Sequence, residues 1–574
     1  MKHSKLTALT AQVLLMALGL AACQNPAPTI PPTSITTEAQ SDAETPTAQE
    51  TTEKETAETA AVTDEETEAV TEAETEEQTT SETESSEPAL PPIEFAYKGQ
   101  RYTLAADGRS AEAERLGTGG KGTYDCAFFE NEMLSDDFSA TLHAVFSTTR
   151  GEAGLLFCAS QFAEGIQGYA LTVRANELAL YRVGTTDEGS MDVAELYSRP
   201  VATTERQHLK AGFTIRVEKQ GDIFRLYYLD DAEGVEPWPE LEIQLENLGG
   251  IGVGYIDNGY GASFGEINLD TVETAYEGLT YQNPICPGAD PFILYHDGLY
   301  YLYATNLTWA YDVYTSPDLC EWTYEGICAE NLWGISSNYW APEVFERDGK
   351  FYLVATVDFH VGIAVADSPL GPFIANDNWL LEGAIDGHVF VDDDERAYLY
   401  VADRSGRWHD NAPGKPGIAC YELTDDLTAI KPDGHTFLFG ADGWEQATVE
   451  GPYILKHNGL YYLTYSGDGY ESDRYGVGYA VSESPTGPFE KCAENPILHW
   501  TPQVHGPGHH SFTTSPDGTE LLIVYHKHYD TETIHPRQTC IDRVRFSTSA
   551  VTGIERLEIY GPTYLPQPIP SSAK

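Results

Sequence analysis

Residues 276–565 repeat one pattern five times: a polar residue, a short apolar strand, a turn, and a second strand rich in aromatic side chains. The repeated segments start at Asp290, Pro342, Gly387, Gly451 and His510. Four of them carry Asp-Gly or Asn-Gly at the turn, a strong hairpin signal, whereas the third has Asp394-Glu395-Arg396 there. The starts are about 45 to 64 residues apart, enough for a four-stranded blade with its loops. Five such units in a ring predict an all-β fold, a five-bladed β-propeller.

Residues 93–272 contain short strand-like runs separated by polar turns, and they have no long helical period. Several runs alternate apolar and polar residues, for example Phe138-Ser-Ala-Thr-Leu-His-Ala-Val-Phe146. Such alternation is typical of a half-buried antiparallel strand. We therefore expect a separate β-sandwich of about 180 residues ahead of the propeller.

The first 22 residues have the pattern of an export signal. Lys2 and Lys5 precede a largely apolar stretch that is too short for a comfortable membrane-spanning helix. The stretch ends in Leu20-Ala-Ala-Cys23, which resembles a bacterial lipobox. This resemblance implies that residues 1–22 are a lipoprotein signal peptide and that lipid on Cys23 anchors the protein to the extracellular face of a bacterial membrane. The alternative is an ordinary signal peptide that is cleaved near a chance cysteine.

Residues 23–92 lack Phe, Trp and Tyr, and they hold eighteen acidic residues and one lysine between Glu38 and Glu87. A segment of this composition cannot bury enough apolar surface to offset the chain entropy lost on folding. Mutual repulsion of its charges also favours extended conformations. We expect a disordered acidic tether.

The net charge of −57, from 90 acidic and 33 basic residues, restricts the partners of the chain. Such a surface repels phosphate backbones and anionic lipids, so the sequence predicts no nucleic-acid partner and no membrane contact except through lipid. A neutral oligo- or polysaccharide fits this charge better. The eight cysteines after Cys23 show no C-x-x-C spacing, so no zinc site is indicated, and their disulfide state is left open.

The propeller arrangement predicts a functional centre. The start of each inner strand lies nearest the propeller axis, so residues at those positions converge on one opening. At or next to those positions are Asp290, Glu343, Asp386, Glu450 and His509. Carboxylates that share one funnel raise one another's pKa values. Neighbouring carboxylates with different pKa values are what acid–base hydrolysis of an acetal requires.

Five local motifs stand in order along the repeats: Asn283-Pro-Ile-Cys-Pro-Gly-Ala-Asp-Pro-Phe292, Trp340-Ala-Pro-Glu-Val344, Ile385-Asp386 before Val389-Phe-Val-Asp-Asp393, Glu450-Gly-Pro452 and Gly506-Pro-Gly-His-His510. Together they resemble family 43 glycoside hydrolases, which include α-L-arabinofuranosidases, β-xylosidases and arabinanases. The strand pattern of residues 93–272 resembles, more generally, the concanavalin-like sandwiches often attached to bacterial glycosidases. That likeness implies sugar binding, packing on the catalytic domain, or both.

The family resemblance implies a role for each acid. Asp290 is expected to be the general base that activates water, Glu450 the general acid, and Asp386 the residue that tunes and orients the acid. Gly387-His388 departs from a proline-containing pattern common in the family, which weakens the match at Asp386. The resemblance also implies inversion at the anomeric carbon, for which base and acid stand roughly 6.5–9.5 Å apart.

Further site residues follow from the same resemblance. Trp340 is expected to stack on a sugar ring. Arg537, which comes late in the chain, is expected to reach the substrate site. Glu343 either bonds substrate or holds the propeller centre. His509 is expected to ligate or neighbour a structural calcium ion, or else to be a packed core histidine. No other cofactor is expected.

The sequence supports one main function and several alternatives. The main interpretation is an inverting hydrolase that removes pentose units from arabinan, arabinoxylan or a similar glycan, with exo action favoured over endo. The alternatives are an endo-acting arabinanase, a surface lectin that keeps the fold without turnover, and a retaining relative that acts on fructans. The motifs do not specify the sugar, the linkage or the oligomeric state.

Overall fold

The structure, a computed structural model, describes residues 94–573 apart from 100, 117–122, 130–136, 163–164, 186–190, 202–208, 231–234, 271, 273–277, 405–415, 447 and 549–554. The predicted signal peptide, Cys23 and the whole acidic tether lie outside the described residues. The described residues belong to one compact unit, Ser86–Lys574. None of its described helices is both long and apolar enough to cross a bilayer.

The N-terminal region contains fourteen strands: β1 Tyr97–Lys98, β2 Tyr102–Leu104, β3 Ala111–Ala113, β4 Asp125–Phe129, β5 Phe138–Phe146, β6 Glu152–Phe162, β7 Gly165–Arg174, β8 Glu177–Thr185, β9 Met191–Pro200, β10 Phe213–Gln220, β11 Ile223–Tyr228, β12 Leu241–Gln244, β13 Gly252–Asp257 and β14 Ala262–Asp270. They form two seven-stranded antiparallel sheets, ordered β1-β4-β13-β6-β7-β8-β9 and β12-β11-β10-β5-β14-β3-β2.

The two sheets share one apolar core, which includes Leu142, Leu171 and Ile215. Strand β5 alternates buried and more exposed residues, as its sequence predicts. Strand β7 instead buries consecutive residues, because a second apolar cluster that includes Ala170 covers the other face of its sheet. These sheets confirm an all-β region ahead of the repeat. The likeness to concanavalin-like sandwiches stays a prediction.

The propeller region contains the remaining strands: β15 Thr280–Tyr281, β16 Cys286–Pro287, β17 Ala289–His296, β18 Leu299–Thr305, β19 Ala310–Ser316, β20 Thr323–Glu330, β21 Tyr339–Arg347, β22 Lys350–Val357, β23 His360–Ala366, β24 Ile374–Ala375, β25 Leu381–Glu382, β26 Ala384–Val391, β27 Ala397–Asp403, β28 Gly417–Leu423, β29 Ile430–Phe439, β30 Val449–His457, β31 Leu460–Gly467, β32 Gly476–Ser482, β33 Glu490–Lys491, β34 Gly508–Thr514, β35 Leu521–Lys527, β36 Gln538–Thr548, β37 Glu555–Tyr560 and β38 Gln567–Pro568. Two short 3-10 helices span Leu332–Gly334 and Gly443–Glu445.

These strands form five antiparallel blades, whose inner strands are β17, β21, β26, β30 and β34. The five-bladed propeller predicted from the repeat is therefore confirmed. The ring is closed by the start of the region, because β16 pairs with β36 of the fifth blade. Strand β38, just beyond the predicted boundary at residue 565, pairs with β15. Closure places the first inner strand beside the fifth blade.

Each inner strand has the same local irregularity near its start. The register with the second strand shifts between Ala289 and Phe292 in the first blade, and at the corresponding place in the other four. One residue within each shift has a positive φ: Asp290 (51°), Ala341 (41°), Asp386 (59°), Gly451 (55°) and His509 (45°). A bulge of this kind re-aims side chains at a strand end. The repeat therefore positions backbone as well as side chains around the axis.

The N-terminal sheets pack against the fifth blade and the loop that precedes it. Arg556 on β37 contacts the carboxylate of Asp230 with both terminal guanidinium nitrogens, at 2.5 and 2.7 Å. The ring of Tyr197 on β9 meets the ring of Trp500 at 5.9 Å. The eight cysteines after Cys23 are all described, and they are free thiols.

Candidate active site

The three predicted catalytic acids lie at the starts of three inner strands: Asp290 on β17, Asp386 on β26 and Glu450 on β30. Their exposed fractions are 7%, 7% and 8%. A buried carboxylate is stable as an anion only with charged or hydrogen-bonding partners, so the partners decide what each acid can do.

Asp290 is surrounded by positive and polar groups. Its Oδ1 accepts a hydrogen bond from Nη1 of Arg537 at 2.9 Å. Nδ1 of His526 lies 3.3 Å from the same oxygen, and Nδ1 of His509 lies 3.4 Å from it. Burial favours the neutral acid, but Arg537 and the two histidines outweigh burial and hold the pKa of Asp290 well below its ordinary value. Asp290 is therefore a carboxylate at neutral pH, as a general base must be.

The pKa of Asp386 is shifted in the opposite direction. Burial, opposed by His509 and reinforced by the charges of Glu450 and Asp290, raises the pKa of Asp386 to about 6. Its Oδ2 accepts a hydrogen bond from the backbone nitrogen of Gly451 at 3.2 Å. Asp386 thus contacts the residue that directly follows Glu450. Two neighbouring acids of the funnel therefore titrate in different pH ranges.

Glu450 accepts two hydrogen bonds through its two oxygens. The hydroxyl of Tyr475 donates to Oε1 at 2.9 Å, and the guanidinium of Arg404 donates to Oε2. Arg404 follows strand β27, on the blade that carries Asp386. These donors hold the Glu450 carboxyl group in a single orientation at the funnel wall.

His509 joins the first and third blades electrostatically. Its Nδ1 is 3.4 Å from Oδ1 of Asp290 and 3.9 Å from Oδ2 of Asp386. Its backbone nitrogen donates to Oγ of Ser466 at 2.8 Å. The structure thus brings Asp290, Asp386 and His509 to one point, as the converging inner strands predict.

Glu343 lies deeper along the axis than the other acids. It stands two residues beyond the positive-φ position of its blade, whereas Glu450 stands one residue before that position. Its Oε2 lies 2.7 Å from Nδ1 of His388, and its Oε1 accepts from the backbone nitrogen of Val389 at 3.1 Å. Both oxygens are thus committed to the neighbouring blade. This geometry argues against substrate binding by Glu343 and favours the alternative, that it holds the propeller centre.

A cavity of about 30 Å³ on the axis is the place where the predicted calcium ion would lie. Asp290, Asp386, His509 and His510 line it. Nδ1 of His510 is buried without a hydrogen-bond partner, so the cavity has polar capacity to spare. Calcium requires six to eight oxygen ligands, however, and no group of three or more His, Cys, Asp or Glu in the described part of the chain is placed to hold a metal. The donor set does not fit a calcium ion held directly by the protein.

Trp340 occupies the funnel position in the second blade that Glu450 occupies in the fourth, one residue before the positive-φ residue. Its ring is half-buried and meets the ring of Phe359 edge-on, at 5.1 Å between centroids. Trp309 is 42% exposed in the loop after β18. Trp333 donates its indole N–H to the carbonyl of Asn376 at 2.9 Å. Trp408 lies outside the described residues.

Arg404, Tyr475 and His526 are site residues that the sequence did not reveal. They lie at the funnel ends of the second and third strands, whereas the repeat was recognised from the starts of inner strands. The pairing of the second and third strands could have revealed them. Residues that flank a pair such as Gly467 and Gly476 lie at the same end of the blade, next to the funnel. Arg537, placed on Asp290, is where the resemblance implied it.

Comparison with known proteins identifies the family of the chain. Residues 281–550 match the model of "Glycosyl hydrolases family 43". Beta-D-galactofuranosidase xynD of Aspergillus niger is 32% identical over 296 residues, which cover 46% of this chain and 82% of the relative. Xylosidase/arabinosidase 43A of Humicola insolens is 30% identical over 30% of this chain and 63% of the relative. The crystal structure of a thermostable family-43 glycoside hydrolase is 36% identical, covers 51% of this chain and all of that chain, and gives a TM-score of 0.46. Since the family model spans the propeller and a relative 32% identical is covered over most of its length, this chain belongs to glycosyl hydrolase family 43.

Proposed function

We propose that this family 43 hydrolase removes terminal pentose units, α-L-arabinofuranosyl or β-xylosyl, from plant-type glycans with inversion. Relatives that bear on the sugar are named Xylosidase/arabinosidase 43A, from Humicola insolens, and Arabinoxylan arabinofuranohydrolase, from Paenibacillus polymyxa. The chain covers 63% and 44% of these two relatives, so the substrate is carried over as a proposal only. The relative named a β-D-galactofuranosidase makes a hexofuranoside the second candidate.

The single observation that supports an acid–base mechanism is that the pKa values of two buried acids are shifted in opposite directions. The pKa of Asp290 is held low by Arg537 and the histidines against burial, while burial raises the pKa of Asp386 to about 6. One acid of the funnel is then a ready base at neutral pH, and a neighbouring acid keeps a proton to higher pH. Divided pKa values are what acid–base hydrolysis uses, and this division supports Asp290 as the base and Asp386 as the modulator, while the role of Glu450 as the acid is carried over from the family resemblance.

In the proposed reaction, Asp290 takes a proton from water as the water oxygen bonds to the anomeric carbon. Glu450 gives its proton to the glycosidic oxygen as the carbon–oxygen bond on the opposite face breaks. Asp386, whose pKa is raised by burial and by the charges of its neighbours, contacts the backbone of Gly451 and so helps to orient Glu450. Trp340 offers a ring face to the sugar. A calcium ion reached through His509 and water stays a prediction of the family resemblance, and no step uses it.

The test is turnover of a panel of aryl α-L-arabinofuranoside, β-xyloside and β-D-galactofuranoside, together with arabinan and arabinoxylan. NMR of the first-formed product is expected to give the inverted anomer. Asp290→Asn is expected to lower turnover of every substrate sharply, and Glu450→Gln that of arabinan and arabinoxylan, whose leaving alcohols need the proton. Release of single sugars supports exo action, whereas release of oligosaccharides supports the endo-arabinanase alternative. Full activity of Glu450→Gln on these polysaccharides would refute its role as the acid. Binding without turnover by the unaltered protein would favour the lectin.

We also propose that the chain is exported and anchored by lipid on Cys23. The lipobox-like Leu20-Ala-Ala-Cys23 supports this placement. The expected result in a bacterial host is membrane-associated protein with a lipid-modified N-terminal cysteine, detectable by mass spectrometry. A Cys23→Ser variant is expected to lose the lipid. An unmodified terminus beginning elsewhere would indicate the ordinary signal peptide.

A further inference from the structure

We propose that Tyr475 is a positioning residue for the reaction, which orients Glu450 through its hydroxyl and supports the base through its ring. The inference rests on the proposed roles of Glu450 and Asp290. It goes beyond them because it assigns a part to a residue outside the inner strands, at the start of the third strand of the fourth blade.

The contact with Glu450 is direct. Tyr475 is fully buried, and its hydroxyl lies 2.9 Å from Oε1 of Glu450. Burial, and then the charges of Glu450, Asp290 and Asp386, raise the pKa of Tyr475 well above its ordinary value. The hydroxyl therefore keeps its proton and donates to the carboxylate, which can only accept.

The ring of Tyr475 contacts the supporting group of the base. It is nearly parallel to the ring of His526, at 14° and 5.7 Å between centroids. His526 is fully buried, and burial together with Arg537 lowers its pKa to about 3, so the imidazole is neutral. Nη1 of Arg537 is 3.2 Å from Nε2 of His526. Nδ1 of His526 lies 3.1 Å from the backbone nitrogen of Asp290 and 3.3 Å from Oδ1 of Asp290.

The position of Tyr475 is enforced from two further directions. A Cβ atom at Gly508 would lie 2.3 Å from the Tyr475 ring, so only glycine there lets the ring sit against β34. The preceding residue, Arg474, lies over the ring of Trp500 at 5.3 Å. Trp500 in turn meets Tyr197 of the N-terminal sheets at 5.9 Å. Both the Gly506-Pro-Gly-His-His510 motif and the N-terminal region therefore help to hold the segment that presents Tyr475.

The consequence for pH dependence has a definite sign. A hydrogen bond donated to a carboxylate stabilises its charged form and lowers its pKa. Removing the hydroxyl takes one hydrogen-bond donor from the carboxylate of Glu450 and so favours the protonated acid. The alkaline limb of the kcat/KM profile, which reports the free enzyme's general acid, moves upward. The acidic limb, set by Asp290, stays in place.

The experiment is the pH profile of Tyr475→Phe with an oligosaccharide, whose leaving alcohol needs the proton. We expect the alkaline limb to rise by about one pH unit, the scale of one hydrogen bond to a carboxylate. The matched control is Tyr300→Phe, which removes the hydroxyl of another fully buried tyrosine, bonded to the carbonyl of Thr514 at 2.8 Å. This control is expected to leave both limbs unchanged.

Site-specific replacement of Tyr475 by 3,5-difluorotyrosine covers the case in which the phenylalanine variant fails to fold. The fluorinated phenol is a stronger donor, so the alkaline limb is expected to move downward. An unmoved limb in the folded variants, or an equal shift in Tyr300→Phe, overturns the inference. If instead Glu450→Gln keeps full activity, the assignment of the acid fails, and the two failures are distinguished.

Discussion

Both regions of the molecule bury carboxylates, but they partner them differently. In the N-terminal sheets, Asp257 is 1% exposed and accepts hydrogen bonds from both terminal guanidinium nitrogens of Arg101. The hydroxyl of Tyr102 and the backbone nitrogens of Gly259 and Gly261 complete its shell. Arg101 also faces Asp125, whose Oδ2 lies 3.4 Å from its Nε, but the oxygens of Asp257 are saturated. Such a site ties strands together and has no capacity left for chemistry.

The funnel of the propeller gathers three acids against two arginines. Arg537 contacts Asp290, and Arg404 contacts Glu450, whereas Asp386 contacts no arginine in the described part of the chain. Burial and the neighbouring charges raise the pKa of Asp386 to about 6. The comparison shows that burial of an acid does not by itself mark a site. Where acids outnumber cations at one point, the pKa values of neighbouring acids move apart.

The strongest test of this contrast is a pair of matched substitutions, Asp290→Asn and Asp257→Asn. We expect Asp290→Asn to lower kcat by about 10³-fold, because the water loses its base. Asp257→Asn is expected to leave kcat per folded molecule unchanged. Initial rates normalised to the folded fraction measure both. Equal losses of activity in the two variants would contradict the comparison.

Stability is expected to fall in Asp257→Asn although turnover per folded molecule does not. The substitution removes the carboxylate that contacts both terminal nitrogens of Arg101 and leaves only Asp125 beside this buried guanidinium, and breaking a buried pair costs up to about 3–5 kcal/mol. The thermal transition of the N-terminal sheets, followed by calorimetry, should fall well below that of the unaltered protein. A transition within a degree or two of that of the unaltered protein would show that solvent or a neighbouring group compensates for Arg101.

Asp386→Asn is expected to give a smaller, pH-dependent gain in stability. The folded-state pKa is raised above the ordinary value of 3.8, so folded Asp386 binds the proton more tightly than the unfolded chain does. Stability from this group is complete at pH below about 4 and is lost as pH rises to about 6. Asparagine removes that loss, on the order of 3 kcal/mol at pH 7. Thermal midpoints at pH 4 and pH 7 should show a gain only at pH 7, together with reduced turnover.

Glu343→Gln is expected to have the smallest catalytic effect. The hydrogen bonds of Glu343 to His388 and to the backbone of Val389 hold two blades together, so the change should cost about 1–3 kcal/mol of stability. We expect KM to stay within about twofold, since both oxygens face protein groups. A large rise in KM with an unchanged thermal midpoint would restore the substrate-binding interpretation.

Most of the architecture was predictable because strand alternation and hairpin turns are local signals. The five starting positions placed Asp290, Asp386 and His509 around one axis, and the structure brings them within 4 Å of a shared imidazole nitrogen. For Glu343 the sequence left two roles open, because the spacing of the repeat does not reveal that both of its oxygens face the neighbouring blade. The sequence did not indicate Arg404, Tyr475 and His526. The loops of their hairpins differ in length, so their shared position at the funnel is not visible as a repeat along the chain.

By itself, the sequence determined the number of blades, the order of the acids and the region of β-strands that precedes them, since each follows from periodicity along the chain. The tertiary structure alone decided which carboxylates carry charge. Ionisation depends on burial and on cations brought from distant strands, such as Arg537 beside Asp290 and Arg404 beside Glu450. Those distances are set only when the ring closes, as β16 pairs with the fifth blade.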